Sequence, residues 1–544
     1  MLKRILISYS DSQTRIDFGY NSNNQSRPVL KRNLQKICPE EIMKRNYILI
    51  PILFLMIAAL LFCACTSSQK QFLESDKTFA DMDAYEQEET YEYSFFFLPK
   101  PFNGIMPGYV GDTMPYYEDG TYYIYYLKEA GGSFNHSIYL VATKDFVTYT
   151  DYEDPILEAN YEGGQDGWIG TGSVVRIGAE YIFFYPAHAS AGDFEYKEKI
   201  MAAEGSSLTG FEKIAGWELI PPDELGQKND FRDPQAYYDT ETGSIILTVT
   251  AAQDGIARIL KFTLSPDLSE AVYDGIIFTD PTGDFWNLEC SDTFCMNDHC
   301  YLTYSGQDDT LWYAVSDKRY GPYTDPQRLE GKVFYAAKHV EDGENVYMAG
   351  WARRSESLLS AGPLTGWAGN LVVQQVRQNA DGSLYLEAPS AIRKNFTIKR
   401  PLLVKNTSVL VESKGEAVYT DVFTAYERFM LTGKFTFSGS GSFGLAFDFD
   451  ESHEDYKLIS LDPESDKVGL YFSEGKTLIA ENTAALEPGK QYTFTYLQEG
   501  SVGLFYIDGL ASLNVRLYGV SGKPIRLFAE NSSVKFTNLA EFTN

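Results

Sequence analysis

Three acidic residues stand in short, distinctive contexts: Asp112 in Gly111-Asp112-Thr113-Met114-Pro115, Asp233 in Phe231-Arg232-Asp233-Pro234, and Glu289 in Trp286-Asn287-Leu288-Glu289-Cys290-Ser291-Asp292. Two carboxyl groups kept in different protonation states can cleave a glycosidic bond, one attacking as an anion while the other protonates the leaving oxygen. Trp286, Leu288 and Cys290 give Glu289 an apolar setting that favours its protonated form, as would two further acids close by. Arg232 places a permanent cation beside Asp233. The three acids are far apart in the chain, so they act together only if the fold makes them converge. Two other readings of the same residues are an oxygen-rich calcium site and a set of unrelated, solvated surface turns.

A repeated unit supplies the convergence. Each unit opens on a polar or acidic residue, runs into an alternating apolar strand, turns at a Gly or Asp pair, and continues in an aromatic strand followed by two weaker ones. The units begin at Asp112, near Thr171, at Asp233, at Glu289 and near Phe334, with spacings of roughly 60, 60, 55 and 45 residues. That length suits four-stranded blades, and five of them predict a five-bladed β-propeller. The first strand of every blade lines a propeller's channel, so the leading residues Asp112, Asp233 and Glu289 are expected at equivalent repeat positions around one axis. From about residue 395 the repeat ends, and short alternating strands with turns such as Asp508-Gly509 predict a C-terminal β-sandwich. The expected fold class is all-β throughout.

The 544-residue chain is too long for one core, and its domains are expected at 93–395 for the propeller and 396–544 for the sandwich. Residues 1–64 read as an N-terminal extension and signal peptide: Met43, Lys44 and Arg45 precede an uncharged, mostly apolar run that ends at Ala64-Cys65. The pattern resembles a bacterial lipoprotein signal with Cys65 as the lipidated residue, and a membrane-spanning anchor is the other reading. Residues 65–92 form a polar tether, so the expected location is outside the cytoplasm, on the membrane through a lipid anchor. The chain carries a net charge of -29, and removal of residues 1–64 leaves 37 basic and 71 acidic residues. Such a surface argues against nucleic acid as a partner. Aromatics make up 15% of the chain, which fits both pleated strands and stacking against sugar faces.

The motifs also resemble a known family. Phe231-Arg232-Asp233-Pro234 resembles the arginine-aspartate-proline signature, and Glu289-Cys290 the glutamate-cysteine signature, of glycoside hydrolase family 32, the invertase, inulinase and levanase group. Thr171-Gly172-Ser173, Phe334-Tyr335-Ala336-Ala337, Gly350-Trp351, Trp367-Ala368-Gly369 and Asp381-Gly382-Ser383-Leu384-Tyr385 resemble further family segments in the same order, over about residues 95 to 540. The resemblance implies a five-bladed propeller followed by a sandwich, and a retaining β-fructofuranosidase acting on sucrose-type oligosaccharides or fructans. It implies Asp112 as nucleophile, Glu289 as acid/base, and Asp233 as the holder of sugar hydroxyls. Arg232, Thr171 and Ser173, with Trp286 and Trp351 as stacking rings, complete the expected substrate-binding set; Trp168 and Trp312 fit either a stacking or a core role. The nucleophile motif departs from the family's Asn-Asp-Pro-Asn-Gly, and Leu127 stands where a Gln is common. These changes leave an inverting arabinosidase or xylosidase, and a glycan-binding surface protein without catalysis, as alternatives.

Two smaller expectations concern chemistry outside this set. Asn297-Asp298 reads as a two-residue hairpin turn that sets Cys295 opposite Cys300, where either a disulfide or free thiols fit. Cys290, Cys295 and Cys300 match no common zinc pattern, and there is no phosphate-binding Gly-rich loop before a helix, so neither a metal nor a cofactor is expected.

Overall fold

The computed structural model describes residues 91–100, 108–130, 136–189, 194–355, 364–447, 457–472 and 477–544. Cys65, the 1–64 extension and the tether as far as residue 90 lie outside them. Regular structure among the described residues is almost wholly β. The exceptions are the short helix Ser390–Lys394 and the 3-10 turns Asp223–Leu225 and Lys405–Thr407.

Residues 108–387 form successive antiparallel meanders. The first unit comprises Gly108–Glu118, Thr121–Ala130, Ile138–Thr143 and Thr148–Leu157. Its first hairpin turns at Asp119 and Gly120, both at positive φ (49° and 80°), a geometry whose twist matches that of the flanking strands. The third unit is a four-stranded sheet, Phe231–Asp239, Ser244–Gln253, Ile256–Leu264 and Ala271–Thr279; the fourth runs Glu289–Met296, His299–Ser305, Leu311–Ser316 and Gln327–Glu330. In the fourth unit Cys295 pairs with Cys300 across the hairpin, and a disulfide joins them. The first and fifth units share one sheet through the pairing of Val110 with Gly369.

Aromatic and aliphatic side chains bury the faces between consecutive units. Tyr125, Phe183 and Phe211 pack the first unit on the second, Phe184 and Phe262 belong to a core shared by the second and third, and Ile259, Phe278 and Tyr304 join the third to the fourth. A larger core carries Phe294 and Tyr301 of the fourth unit, Phe334 and Tyr347 of the fifth, and Tyr122 of the first. Tyr122 and Phe146 meet Tyr347 with ring centroids 5.6 and 4.8 Å apart. Most of the aromatic excess is consumed in these contacts.

After the Ser390–Lys394 helix the chain builds a seven-stranded and a six-stranded sheet. Rings from the two meet between them at steep angles, as in Phe435–Phe443 and Phe447–Tyr496, with centroids 5.4 and 5.2 Å apart. This C-terminal part is bound to the repeat units by polar as well as apolar contacts. Arg516 donates to the carbonyls of Ala352 and Arg353 at 2.6 and 3.0 Å, and Tyr506 to Gln374 at 2.9 Å.

Glu330, fully buried at this junction, accepts hydrogen bonds from Ser512 Oγ (2.5 Å) and from the backbone N–H groups of Gly331 (2.8 Å) and Asn514 (3.2 Å). Burial outweighs these donors and pushes its carboxyl up to about 7 from the ordinary 4.5. In the unfolded chain it ionises first, so stability is expected to fall as pH rises from about 4.5 to 7, by roughly 2–4 kcal/mol from this group. Glu330→Gln should remove that share of the decline. Thermal unfolding at pH 5 and pH 8 reads it directly, and a variant with the wild-type pH slope would place the titration elsewhere.

Candidate active site

The leading strands are not regular. In the first unit Val110 and Thr113 pair with Lys128 and Tyr126, so two residues, Gly111 and Asp112, stand opposite one. The same insertion separates Arg232 from Gln235, Glu289 from Asp292, and Tyr335 from Lys338. In the second unit Gly170 N–H donates to Pro186 O while Ser173 pairs with Phe184, which is again three residues against two. Each leading strand therefore carries a β-bulge near its start, which bends the strand and re-aims its side chains.

Matched through this register, Glu289 holds the first bulge place, Asp233 the second and Asp112 the third. The acids are thus not at equivalent repeat positions, as the repeat alone predicts, but staggered by one residue each. The bulge is the reason, since alternation fails across it and consecutive residues can all reach the axis. In the third, fourth and fifth units the second place takes a left-handed backbone: Asp233, Cys290 and Ala336 have φ of 52°, 52° and 53°. For non-glycine residues this costs about 1–2 kcal/mol each.

Asp112 receives three hydrogen bonds from side chains remote in sequence. Trp351 Nε1 and Trp367 Nε1 donate to Oδ1 at 3.1 and 3.0 Å, and Thr171 Oγ1 donates to Oδ2 at 2.9 Å. Cys290 Sγ donates in turn to Thr171 Oγ1 at 3.6 Å. Three side-chain donors thus converge on one carboxyl. Gly111 makes the arrangement possible, because a Cβ there would lie 2.1 Å from the edge of the Trp367 ring.

The other two acids are both raised above the ordinary carboxyl range. Asp233 is 4% exposed and accepts from the Cys290 N–H at 2.7 Å. Burial pushes it up to about 6, with Glu289 and Asp112 adding to the rise while Arg232 and the Cys290 N–H oppose it. Glu289 is also raised, first by burial and then by the charges of Asp112 and Asp309, against the pull of the Tyr335 hydroxyl and Arg232. Tyr335 Oη donates to Glu289 Oε2 at 2.5 Å, and Arg232 Nη2 lies 3.7 Å from Oε1. Arg232 Nη1 is anchored on Glu198 at 3.2 Å, and its guanidinium sits 5.2 Å from the centroid of the Trp286 ring. Burial alone would raise Glu198, but His188, Arg232 and the Phe231 N–H overcome it and hold the carboxyl at about 2. All three central acids, with Thr171 and Arg232, line a pocket of about 590 Å³.

The expected substrate-binding residues separate into groups. Thr171 and Arg232 are in the pocket wall, and Trp286, 45% exposed, presents its ring beside Arg232. Trp351 is fully buried and serves Asp112 rather than offering a stacking face. Ser173 accepts from Ala236 N–H at 2.8 Å and lines a second cavity, of about 340 Å³, further along the leading strands. Trp168 is partly exposed in the main pocket, whereas Trp312 donates to Asp308 at 3.3 Å. Among the described residues no three His, Cys, Asp or Glu side chains are grouped as metal ligands. Sequence reasoning passed over Trp367, Tyr335 and Glu198 as site residues. Tyr335 carried a usable signal, since it opens the fifth unit where Glu289 opens the fourth; Trp367 and Glu198 lie on later strands, outside the leading-edge pattern.

A pocket that holds one carboxylate among donors and a second carboxyl raised by burial, on an all-β scaffold of repeated meanders, defines a glycoside hydrolase. The model of the glycosyl hydrolases family 32 N-terminal domain matches residues 112–387, just over half of the chain, and the protein belongs to that family. It is 22% identical over 404 residues to a sucrose-6-phosphate hydrolase of Escherichia coli, covering 69% of this chain and 80% of that one. Among solved structures, a sucrose-6-phosphate hydrolase from Lactobacillus gasseri superposes with a TM-score of 0.64 at 16% identity, over 83% of this chain and 93% of the other. An exo-inulinase from Aspergillus awamori superposes with a TM-score of 0.64 at 14% identity, over 85% and 99%. At these identities the two structures speak to the fold.

The indole clamp on Asp112 makes a quantitative expectation. Deleting one hydrogen bond to a charged acceptor costs about 1.5–3 kcal/mol, so Trp367→Phe should lower glycosidase kcat/KM about 10- to 100-fold. Gly111→Ala, which drives a methyl into the same ring, should cost at least as much with the indole intact. Steady-state kinetics of both variants, with near-UV circular dichroism as a check on folding, decides whether the clamp matters.

Proposed function

We propose that the protein hydrolyses β-fructofuranosidic bonds in sucrose-type oligosaccharides or fructans, with retention of configuration. The observation that carries this reading is the difference in surroundings between Asp112 and Glu289 in one pocket: three side-chain donors on the first, and burial with a tyrosine hydroxyl on the second. Asp112 attacks the anomeric carbon as the anion while Glu289 delivers its proton to the leaving oxygen. Glu289, now ionised, then takes a proton from the water that releases the sugar. Asp233, rigid on its bulge, binds sugar hydroxyls, and Arg232 steadies the charge around both acids. Membership of family 32 and the sucrose-6-phosphate hydrolase relative support a fructoside as substrate.

The reading includes the architecture that converges these residues. Cores shared by each successive pair of units, and by the fifth and first, support a five-bladed β-propeller over 93–395. The two facing sheets that follow support a β-sandwich over 396–544. For residues 1–92 we propose a lipoprotein signal, lipidation of Cys65 and a polar tether, which would hold the enzyme on the outer face of the cell membrane.

Kinetics with sucrose, inulin, levan and aryl arabinosides tests the substrate class. Asp112→Asn and Glu289→Gln should each lower fructose release by roughly a thousandfold or more. NMR of the first-formed product should show retained configuration; inversion, or turnover of arabinosides alone, would replace this reading with an inverting pentosidase. Metabolic labelling with a fatty acid should mark the wild-type chain and not Cys65→Ser, and an unlabelled wild type would remove the anchor.

A further inference from the structure

The bulge register gives the pocket a depth scale. The main pocket is lined by residues at the starts of the leading strands, and the second cavity by residues later in the same strands, such as Met114, Ser173 and Gln235. Along the strands Asp112 therefore lies nearest the second cavity, Asp233 next, and Glu289 and Arg232 farthest from it. Trp168 lies two residues outward of Gly170, the residue that matches Glu289 in register, and it pairs with His188. A sugar departing past Glu289 passes this level.

His188 is built as a recognition group there. Its Nδ1 lies 3.1 Å from Glu198 Oε1, the carboxylate that also anchors Arg232 and accepts from the Phe231 N–H at 2.8 Å. A carboxylate on Nδ1 fixes the tautomer and turns the other ring nitrogen outward. That nitrogen, Nε2, lies against Gly170, where a Cβ would come within 2.8 Å of it, and the ring lines the main pocket. One half-buried acid thus contacts both His188 and the arginine beside Glu289.

We propose that His188, held by Glu198, is a specificity-determining residue that hydrogen-bonds a hydroxyl of the leaving sugar, and so favours saccharide leaving groups over ones without hydroxyls. The proposal rests on the fructosidase reading above. Its test compares wild type, His188→Ala and His188→Gln on sucrose, 1-kestose and 4-nitrophenyl β-D-fructofuranoside, whose leaving group has no sugar hydroxyl. His188→Ala should lower kcat/KM for the two saccharides about 10-fold or more relative to the aryl substrate, and His188→Gln should recover part of the loss. An equal fall on all three substrates, or no fall, would overturn the proposal, and melting temperatures of the variants show whether an equal fall is misfolding. A wild type inactive on all three would overturn the fructosidase reading itself, and is distinguished because it appears before any substitution.

Discussion

A regular strand sends successive side chains to opposite faces, so it can offer an axis only every second residue. The extra residue in each leading strand lifts that restriction, and the site depends on it. Without the bulge, Glu289, Asp233 and Asp112 could not occupy three adjoining places of one repeated register and still share a pocket. The left-handed backbone at Asp233, Cys290 and Ala336 is the energetic cost of the device. The cores between units must hold it in place, because nothing local to these residues favours the conformation.

Around this frame the three carboxyls are handled by different means. Asp112 is surrounded by donors, Glu289 is desolvated with one tyrosine and one arginine in attendance, and Asp233 is buried on a backbone N–H. The differences do not arise from the residues themselves, two of which are aspartates. They arise from partners contributed by the second, third, fourth and fifth units. Arg232 is the neighbour common to Asp233 and Glu289, and Glu198 anchors it. The C-terminal sheets join the same network indirectly, since Arg516 grips the carbonyls that follow Trp351.

Much of this was legible in the residues. Turn pairs such as Asp119-Gly120 and the spacing of aromatic strands marked the five units, and the Arg232-Asp233 and Glu289-Cys290 contexts picked out two of the acids. The bulges were not legible, because an inserted residue leaves no compositional mark; the strands were therefore read as starting after the acids instead of running through them. Trp351 was misjudged for a related reason. A tryptophan near a carbohydrate site invites a stacking role, and only the fold reveals that its N–H is aimed at Asp112 and its face is covered. His188 and Glu198, on the second and third strands of their unit, carried no periodic signal at all.

The three donors on Asp112 lie 59, 239 and 255 residues further along the chain. No stretch of polypeptide shorter than residues 112–367, which reaches from the first unit into the fifth, contains both the carboxyl and its full shell. The functional centre is therefore a property of high contact order. Both indoles on Asp112 belong to the fifth unit, so a chain in which that unit is not packed on the first carries the carboxyl without its clamp.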